Sequence, residues 1–460
     1  MLFNSFFYIL IFLPGASLSY FLLANCVSFN AAKIFLVLAS FLFYGWWNPI
    51  YLPLLILSIL INYIIAHTIQ SQDAPLTRKY FLVLGVLFNL GLLSYFKYTN
   101  FFVDNINIAT NSHLFVSQII LPLGISFFTF TQIAFLVDFY RDKGKKYSVI
   151  DYCLFVSYFP HLLAGPIIHH AQMMPQFSNP ENGKINYQNI YFGLALFIIG
   201  LTKKVVLADT FALFANDGYS HVNDLNCMTA WITSLAYTFQ IYFDFSGYTD
   251  MAIGASKLFN ITLPRNFNSP YQALSIRDFW HRWHITLSHF LRDYLYIPLG
   301  GNRVSEIKIN RNLILTFVLG GFWHGAGWTF IWWGLLHGLA LSLQRLFGKL
   351  NFQLPNLLSW LITFNFINIT WVFFRSATMQ EATHILSTML SFTGASFNPL
   401  VIILFGFAFT LILWMPNSSK IIAKPVADRM IFLPGLAGLM LLSIILMEMS
   451  NSHEFIYFKF

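Results

Sequence analysis

The sequence predicts an all-α, polytopic membrane protein with about 11 transmembrane helices and additional re-entrant segments. Two compositional figures and one pattern carry this. Of 460 residues, 57% are apolar, and Asp, Glu, Lys and Arg together make up only 10%. An ordinary soluble protein has about 25% charge, and so little cannot coat a soluble surface of this size. The apolar residues run in long unbroken stretches rather than short alternating ones, which excludes a β-barrel. Cys26, Cys153 and Cys227 have no spacing suited to a disulfide scaffold or a Cys-based zinc site. The net charge of +8 fits basic loops retained on the cytoplasmic side, and no nucleic-acid partner is expected.

A span needs about 20 apolar residues. The N-terminal stretch lacks the basic start and small-residue cleavage site of a signal peptide and reads as the first span, Leu2–Leu23. Ala32–Trp47, Tyr51–Ile69, Tyr80–Tyr98, Leu114–Phe139, Asn189–Leu207 and Cys227–Phe243 follow, then Leu357–Phe374, Leu400–Met415 and Met430–Met447. Basic loops at Thr77–Lys79, Arg141–Lys146, Arg303–Arg311, Arg345–Lys349 and Lys420–Arg429 read as cytoplasmic. Asn100–His113 and Asn216–Asn226 contain no Lys or Arg and read as extracytoplasmic, with both termini also outside. This parity requires Ile150–Gly183 to enter and return. Phe159-Pro160-His161 and Gly165-Pro166 are the helix breaks that permit it. The chain is expected to be one integral-membrane domain over 1–460.

Between Asp244 and Arg311 the character changes, with eight basic and five acidic residues in a stretch flanked by spans. Charge inside a membrane fold is expensive and marks a site or a water-filled cavity; a long solvated loop is the plainer alternative. The local pattern favours a site. Helical spacing over Asp278–Asp293 puts His281, His284 and Ser288 on one face, with Trp280, Trp283, Leu287 and Leu291 forming an adjoining apolar stripe. A plain interfacial helix explains the Trp and Arg residues but does not need two His beside Ser288. The His-x-x-His spacing is not the metalloprotease form, which needs i, i+4 and an adjacent Glu, so no metal is expected. Upstream, Asp244-Phe245-Ser246-Gly247-Tyr248 reads as a capped turn at a helix end. Asp244 remains a candidate for orienting Arg or His partners.

The segment Arg311–Arg345 is basic at both ends, so it should enter and return, bending at Gly320, Gly321, Gly325 and Gly327. His324 lies 13 residues past Arg311, about 20 Å along a helix, deep in a membrane about 30 Å thick. An ionisable residue there is a functional candidate, and an imidazole suits proton transfer near neutral pH. Trp323 and Trp328 would enclose it. Six of the twelve Trp lie between Trp280 and Trp333, which places the two His-bearing segments face to face. His337 is a further candidate, with a structural role the plainer reading.

These residues resemble the membrane-bound O-acyltransferase (MBOAT) family, in its bacterial branch of alginate, peptidoglycan and D-alanyl transfer subunits. The resemblance rests on the opening Phe-Asn-Ser-Phe-Phe-Tyr, Tyr44-Gly45-Trp46-Trp47 and Asp244–Tyr248. More specific are Phe279-Trp280-His281-Arg282-Trp283-His284, Tyr296–Arg303, Phe322-Trp323-His324-Gly325 and Trp333–Gly338. It implies a funnel through a thinned centre, His324 as the essential histidine and His284 as the second polar position. It also implies that an acetyl group passes from a cytoplasmic thioester, acetyl-CoA or another, to an extracytoplasmic polysaccharide. No bound cofactor is implied. Alginate-type exopolysaccharide is the expected acceptor and peptidoglycan the alternative. An extracytoplasmic acetyltransferase or acceptor protein is the expected partner, in the bacterial inner membrane with its lipid. Trp280, Trp283, His281, Arg282, Ser288, Trp323 and Asp244 are expected to line the substrate path, with Arg282 and Arg292 facing the donor's phosphates. A transporter without chemistry competes with this reading, because broken helices and buried His suit translocation as well.

Overall fold

The computed structural model describes residues 1–141, 147–350, 354–391, 398–422, 433–449 and 455–456. Among them there is no strand. The helices are α1 (Leu13–Cys26, entered through a π turn at Tyr8–Phe12), α2 (Phe29–Gly45), α3 (Leu52–Ser71), α4 (Pro75–Thr110) and α5 (Ile125–Arg141). Short helices α6 (Val149–Ser157), α7 (Phe159–Leu162) and α8 (His170–Phe177) precede α9 (Tyr187–Thr202), a π turn at Lys203–Ala208, α10 (Asp209–Ser220) and α11 (Cys227–Lys257). Then come α12 (Ile276–Arg282), α13 (Ile285–Leu291), α14 (Glu306–His324), α15 (Trp328–Phe347), α16 (Asn356–Arg375), α17 (Met379–Leu390), α18 (Pro399–Trp414), α19 (Ser418–Ile422) and α20 (Leu433–Met449).

Five helices are long and apolar enough to cross a membrane: Tyr8–Cys26, Pro49–Ser71, Pro75–Thr110, Tyr187–Ser220 and Asn356–Arg375. Phe29–Gly45, Pro399–Trp414 and Leu433–Met449 are shorter apolar helices. Large apolar side chains such as Leu18, Leu38, Ile64 and Leu87 stand exposed on them, as lipid-facing residues do and as a soluble surface avoids. The protein is a multi-pass membrane protein.

Three expected elements differ. Leu114–Phe139 is not one span: the helix starts at Ile125, because Pro122 cannot donate and Gly124 turns left-handed at φ 74°. Tyr80–Tyr98 is the middle of a longer helix that runs through the polar Asn100–Thr110 stretch and stops where Asn111 turns left-handed. Cys227–Phe243 likewise continues to Lys257, so Asp244–Tyr248 is buried mid-helix and not a turn. The expected basic loops at 142–146 and 423–429, and the start of the Met430–Met447 span, lie outside the described residues.

The described residues form two compact units, Met1–Ile198 with Tyr248–Pro264, and Ile199–Gly247 with Arg265–Phe460. In the first, Tyr8, Phe12, Phe43 and Phe159 interlock with ring centroids 5.1–6.2 Å apart. The break expected at Phe159-Pro160 is present. Helix α6 ends at Ser157, α7 is a single turn, and the chain is irregular from Gly165 to His169. Ser148 caps α6 by accepting from the Asp151 amide at 3.1 Å. Asp151 in turn holds the buried Lys33 at 2.7 Å.

In the second unit, α14 and α15 form an antiparallel hairpin whose open ends are joined by Glu306 and Arg345 at 3.1 Å. Arg311–Arg345 therefore does go out and return. It bends only at Gly325–Gly327. Gly321 and Gly334 serve close approach instead: a Cβ on either would strike a main-chain oxygen of the facing helix, Phe330 or Phe317.

Candidate active site

Two histidines meet inside the second unit. His324 is the last residue of α14 and is buried. Trp323, Trp333 and Phe374 surround its ring at centroid distances of 4.9, 5.3 and 5.2 Å. His284 is completely buried, and its ring lies 6.4 Å from that of His324. Phe245 packs edge-on against it at 4.8 Å. Neither ring nitrogen of His284 has a hydrogen-bond partner among the described residues.

The local fold explains how His284 reaches this position. Ser275 caps α12 by accepting from the Asp278 amide at 3.1 Å, and α12 ends after seven residues. Trp283 is extended and His284 is left-handed, at φ 42° and ψ 54°. That conformation costs a non-glycine residue about 1–2 kcal/mol, so the surroundings must hold it. Asn266 does so: its main-chain oxygen accepts from the Ile285 amide at 3.0 Å. Its Oδ1 accepts from the Thr286 amide at 3.2 Å and from Thr286 Oγ1 at 2.6 Å.

The aromatic surroundings are continuous. Trp280 donates from Nε1 to His337 Nδ1 at 3.2 Å. An indole N–H can only donate, so His337 is a neutral imidazole with its proton on Nε2. Trp333 stacks on Trp371 at 5.9 Å, and Trp371 meets Trp283 at 5.0 Å. His337 thus holds the Trp280 indole in place.

The comparisons agree with this architecture. The model of the membrane-bound O-acyltransferase family matches residues 82–379. A protein named Peptidoglycan O-acetyltransferase from Helicobacter pylori is 51% identical over 426 residues, spanning 86% of this chain and 81% of its own. The chain belongs to the MBOAT family. A protein named Probable alginate O-acetylase AlgI from Pseudomonas aeruginosa is 40% identical over 400 residues, 85% of this chain and 75% of its own. The Teichoic acid D-alanyltransferase of Bacillus subtilis is 27% identical over 380 residues, 72% and 95% respectively. This MBOAT is accordingly an acyltransferase.

The geometry sorts the expected site residues of this MBOAT. His324, His284, Trp280, Trp283 and Trp323 are buried together in the second unit. His281 and Ser288 do not share a face with His284, because the helix expected over Asp278–Asp293 breaks at Trp283–His284. His281 is exposed at the end of α12. Ser288 is half-buried, and its Oγ lies 3.5 Å from the Trp283 carbonyl oxygen. Trp328 is 55% exposed. Arg282 is engaged by Asp278 at 2.8 Å and Arg292 by Asp293 at 2.7 Å. Among the described residues no group of three or more His, Cys, Asp or Glu is placed to hold a metal ion.

Asp244 is buried against Lys204 at 2.7 Å, and Lys204 also holds Asp209 at 2.8 Å. Asp244 Oδ2 accepts from the Ile456 amide at 3.0 Å. Sequence reasoning missed Lys204 and Asp209, although two consecutive lysines inside an apolar span are a signal in themselves. It also missed Asn266, which nothing in the run Arg265-Asn266-Phe267-Asn268 singles out.

Proposed function

We propose that this MBOAT transfers an acetyl group from a cytoplasmic thioester, acetyl-CoA or an equivalent, to the hydroxyl of an extracytoplasmic glycan, through a partner acetyltransferase outside a bacterial inner membrane. The observation that carries it is the buried pair of His324 and His284, with ring centroids 6.4 Å apart. His324 takes the acceptor's hydroxyl proton as the oxygen attacks the thioester carbonyl. The thiolate leaves with that proton. A positioned general base contributes about 10²–10⁴-fold, and the aromatic surroundings keep out the water that would hydrolyse the thioester. His284 orients the acyl group opposite the base. The surrounding Trp side chains form the channel wall.

The expected glycan is an exopolysaccharide of alginate type. The 51% identity to a protein named for peptidoglycan, beside 40% to one named for alginate, supports peptidoglycan as a second reading. Comparing O-acetyl content of both glycans in a strain lacking the chain decides between them. The test of the chemistry is acetyl release from acetyl-CoA by purified His324→Ala protein. A loss of about 10²–10⁴-fold is expected. A variant that inserts normally and keeps the wild-type rate rules out His324 as the base.

A further inference from the structure

Asn266 does two things at once. Its Oδ1 must be the atom that faces the Thr286 amide, because an N–H only donates. The carboxamide plane is therefore fixed, and its NH₂ points away from the Thr286 clamp. Asn266 is completely buried, yet Nδ2 has no hydrogen-bond partner among the described residues. Buried amides are normally satisfied. The residue is clamped to Ile285 and Thr286, directly beside His284, whose two ring nitrogens also lack partners there. Unsatisfied donors gathered on a strained, fully buried turn are what a site for a polar ligand atom requires. A carboxamide NH₂ can only donate, so the atom it awaits is an acceptor.

We propose that Asn266 is a catalytic residue that donates from Nδ2 to the carbonyl oxygen of the acyl thioester and to the oxyanion that forms there; this rests on the acyl-transfer reading above. As the acceptor oxygen bonds to the carbonyl carbon, the C=O π pair moves onto oxygen, where the Asn266 amide stabilises it. The carbonyl then reforms, the C–S bond breaks, and the thiolate takes the proton that His324 removed from the hydroxyl. A preorganised donor of this kind contributes about 10²–10³-fold in rate.

The test uses the full-length protein in a strain lacking it, with O-acetyl content and purified thioester turnover as readouts. Asn266→Asp keeps the acceptor for Thr286 and removes the donor. It is expected to lower kcat about 10²–10³-fold with little change in KM. Thr286→Val removes one clamp bond and leaves the donor, and is expected to lower kcat clearly less than Asn266→Asp does while lowering thermal stability. If Asn266→Asp keeps wild-type turnover, or if Thr286→Val falls as far as Asn266→Asp, the donor role is overturned. Should Asn266→Asp not accumulate, the neutral Asn266→Ser replaces it with the same expectation. A wild-type gene that restores no O-acetyl group overturns the acyl-transfer reading itself, so the two failures are distinct.

Discussion

In the first unit, Asn62 and Asn89 close on each other across α3 and α4. Asn89 donates to Asn62 Oδ1 at 2.6 Å and to the Gly85 oxygen at 2.8 Å. Asn62 donates to Asn89 Oδ1 at 3.3 Å and to the Ser58 oxygen at 2.9 Å. Gln132 extends the cluster to Ser58 Oγ at 2.9 Å, and Tyr152 donates to Gln132 Oε1 at 3.2 Å. In the second unit, both nitrogens of His284, Nε2 of His337 and Nδ2 of Asn266 lack partners among the described residues. Both clusters are buried, and both cost desolvation. One recovers that cost within the protein; the other leaves it to be recovered by a ligand. Saturation, rather than polarity or depth, is what separates these two clusters.

The largest expected effects fall on the unsaturated cluster. Replacing His284 by Gly or by Ala should lower acyl transfer by at least about 10²-fold in either case. The two should differ in stability. Glycine accepts the left-handed conformation that alanine resists, so His284→Gly should be about 1 kcal/mol more stable than His284→Ala. Thermal unfolding in detergent measures the difference. Equal midpoints would mean that the turn carries no strain, and wild-type turnover in either variant would remove His284 from the site.

The saturated cluster should behave the other way. Asn62→Ala leaves the Asn89 amide without its side-chain partner and should destabilise by about 1–3 kcal/mol, with the kcat of the folded fraction unchanged. Turnover corrected for folded protein checks this. A fall in corrected kcat comparable to that of His284→Gly would erase the distinction between the clusters.

The sequence made His324 readable because its argument needed only length along one helix, and α14 is continuous from Glu306 to His324. His284 was readable as a residue but not as a geometry. Periodicity placed it in a helix with His281 and Ser288, whereas long-range bonds from Asn266 hold it in a left-handed turn between two helices. Asp244 looked like a turn residue because Lys204, which neutralises it, lies 40 positions earlier in the chain. Leu114–Phe139 is apolar enough for a span, but Pro122 and Gly124 keep Leu114–Ile120 from joining α5. What stayed hidden was in each case a contact distant in sequence or a backbone angle. Composition and period report neither.

The smallest expected effect lies at the open end of the α14–α15 hairpin, where Glu306 meets Arg345 at 3.1 Å and Lys349 at 3.2 Å, exposed on the surface. The Arg345 hydrogen bond, followed by that from Lys349, holds the Glu306 carboxyl below its ordinary value of 4.5. A depressed carboxylate stabilises the folded state above its unfolded value, and the contribution disappears as pH falls through the folded value. Exposed pairs are also screened by salt. Glu306→Gln should therefore lower the thermal midpoint slightly at neutral pH and low salt, with turnover unaffected. The gap between variant and wild type should close in about 1 M salt and again on titration to about pH 3. A gap that stays constant through both titrations would mean that Glu306 acts through packing and not through its charge.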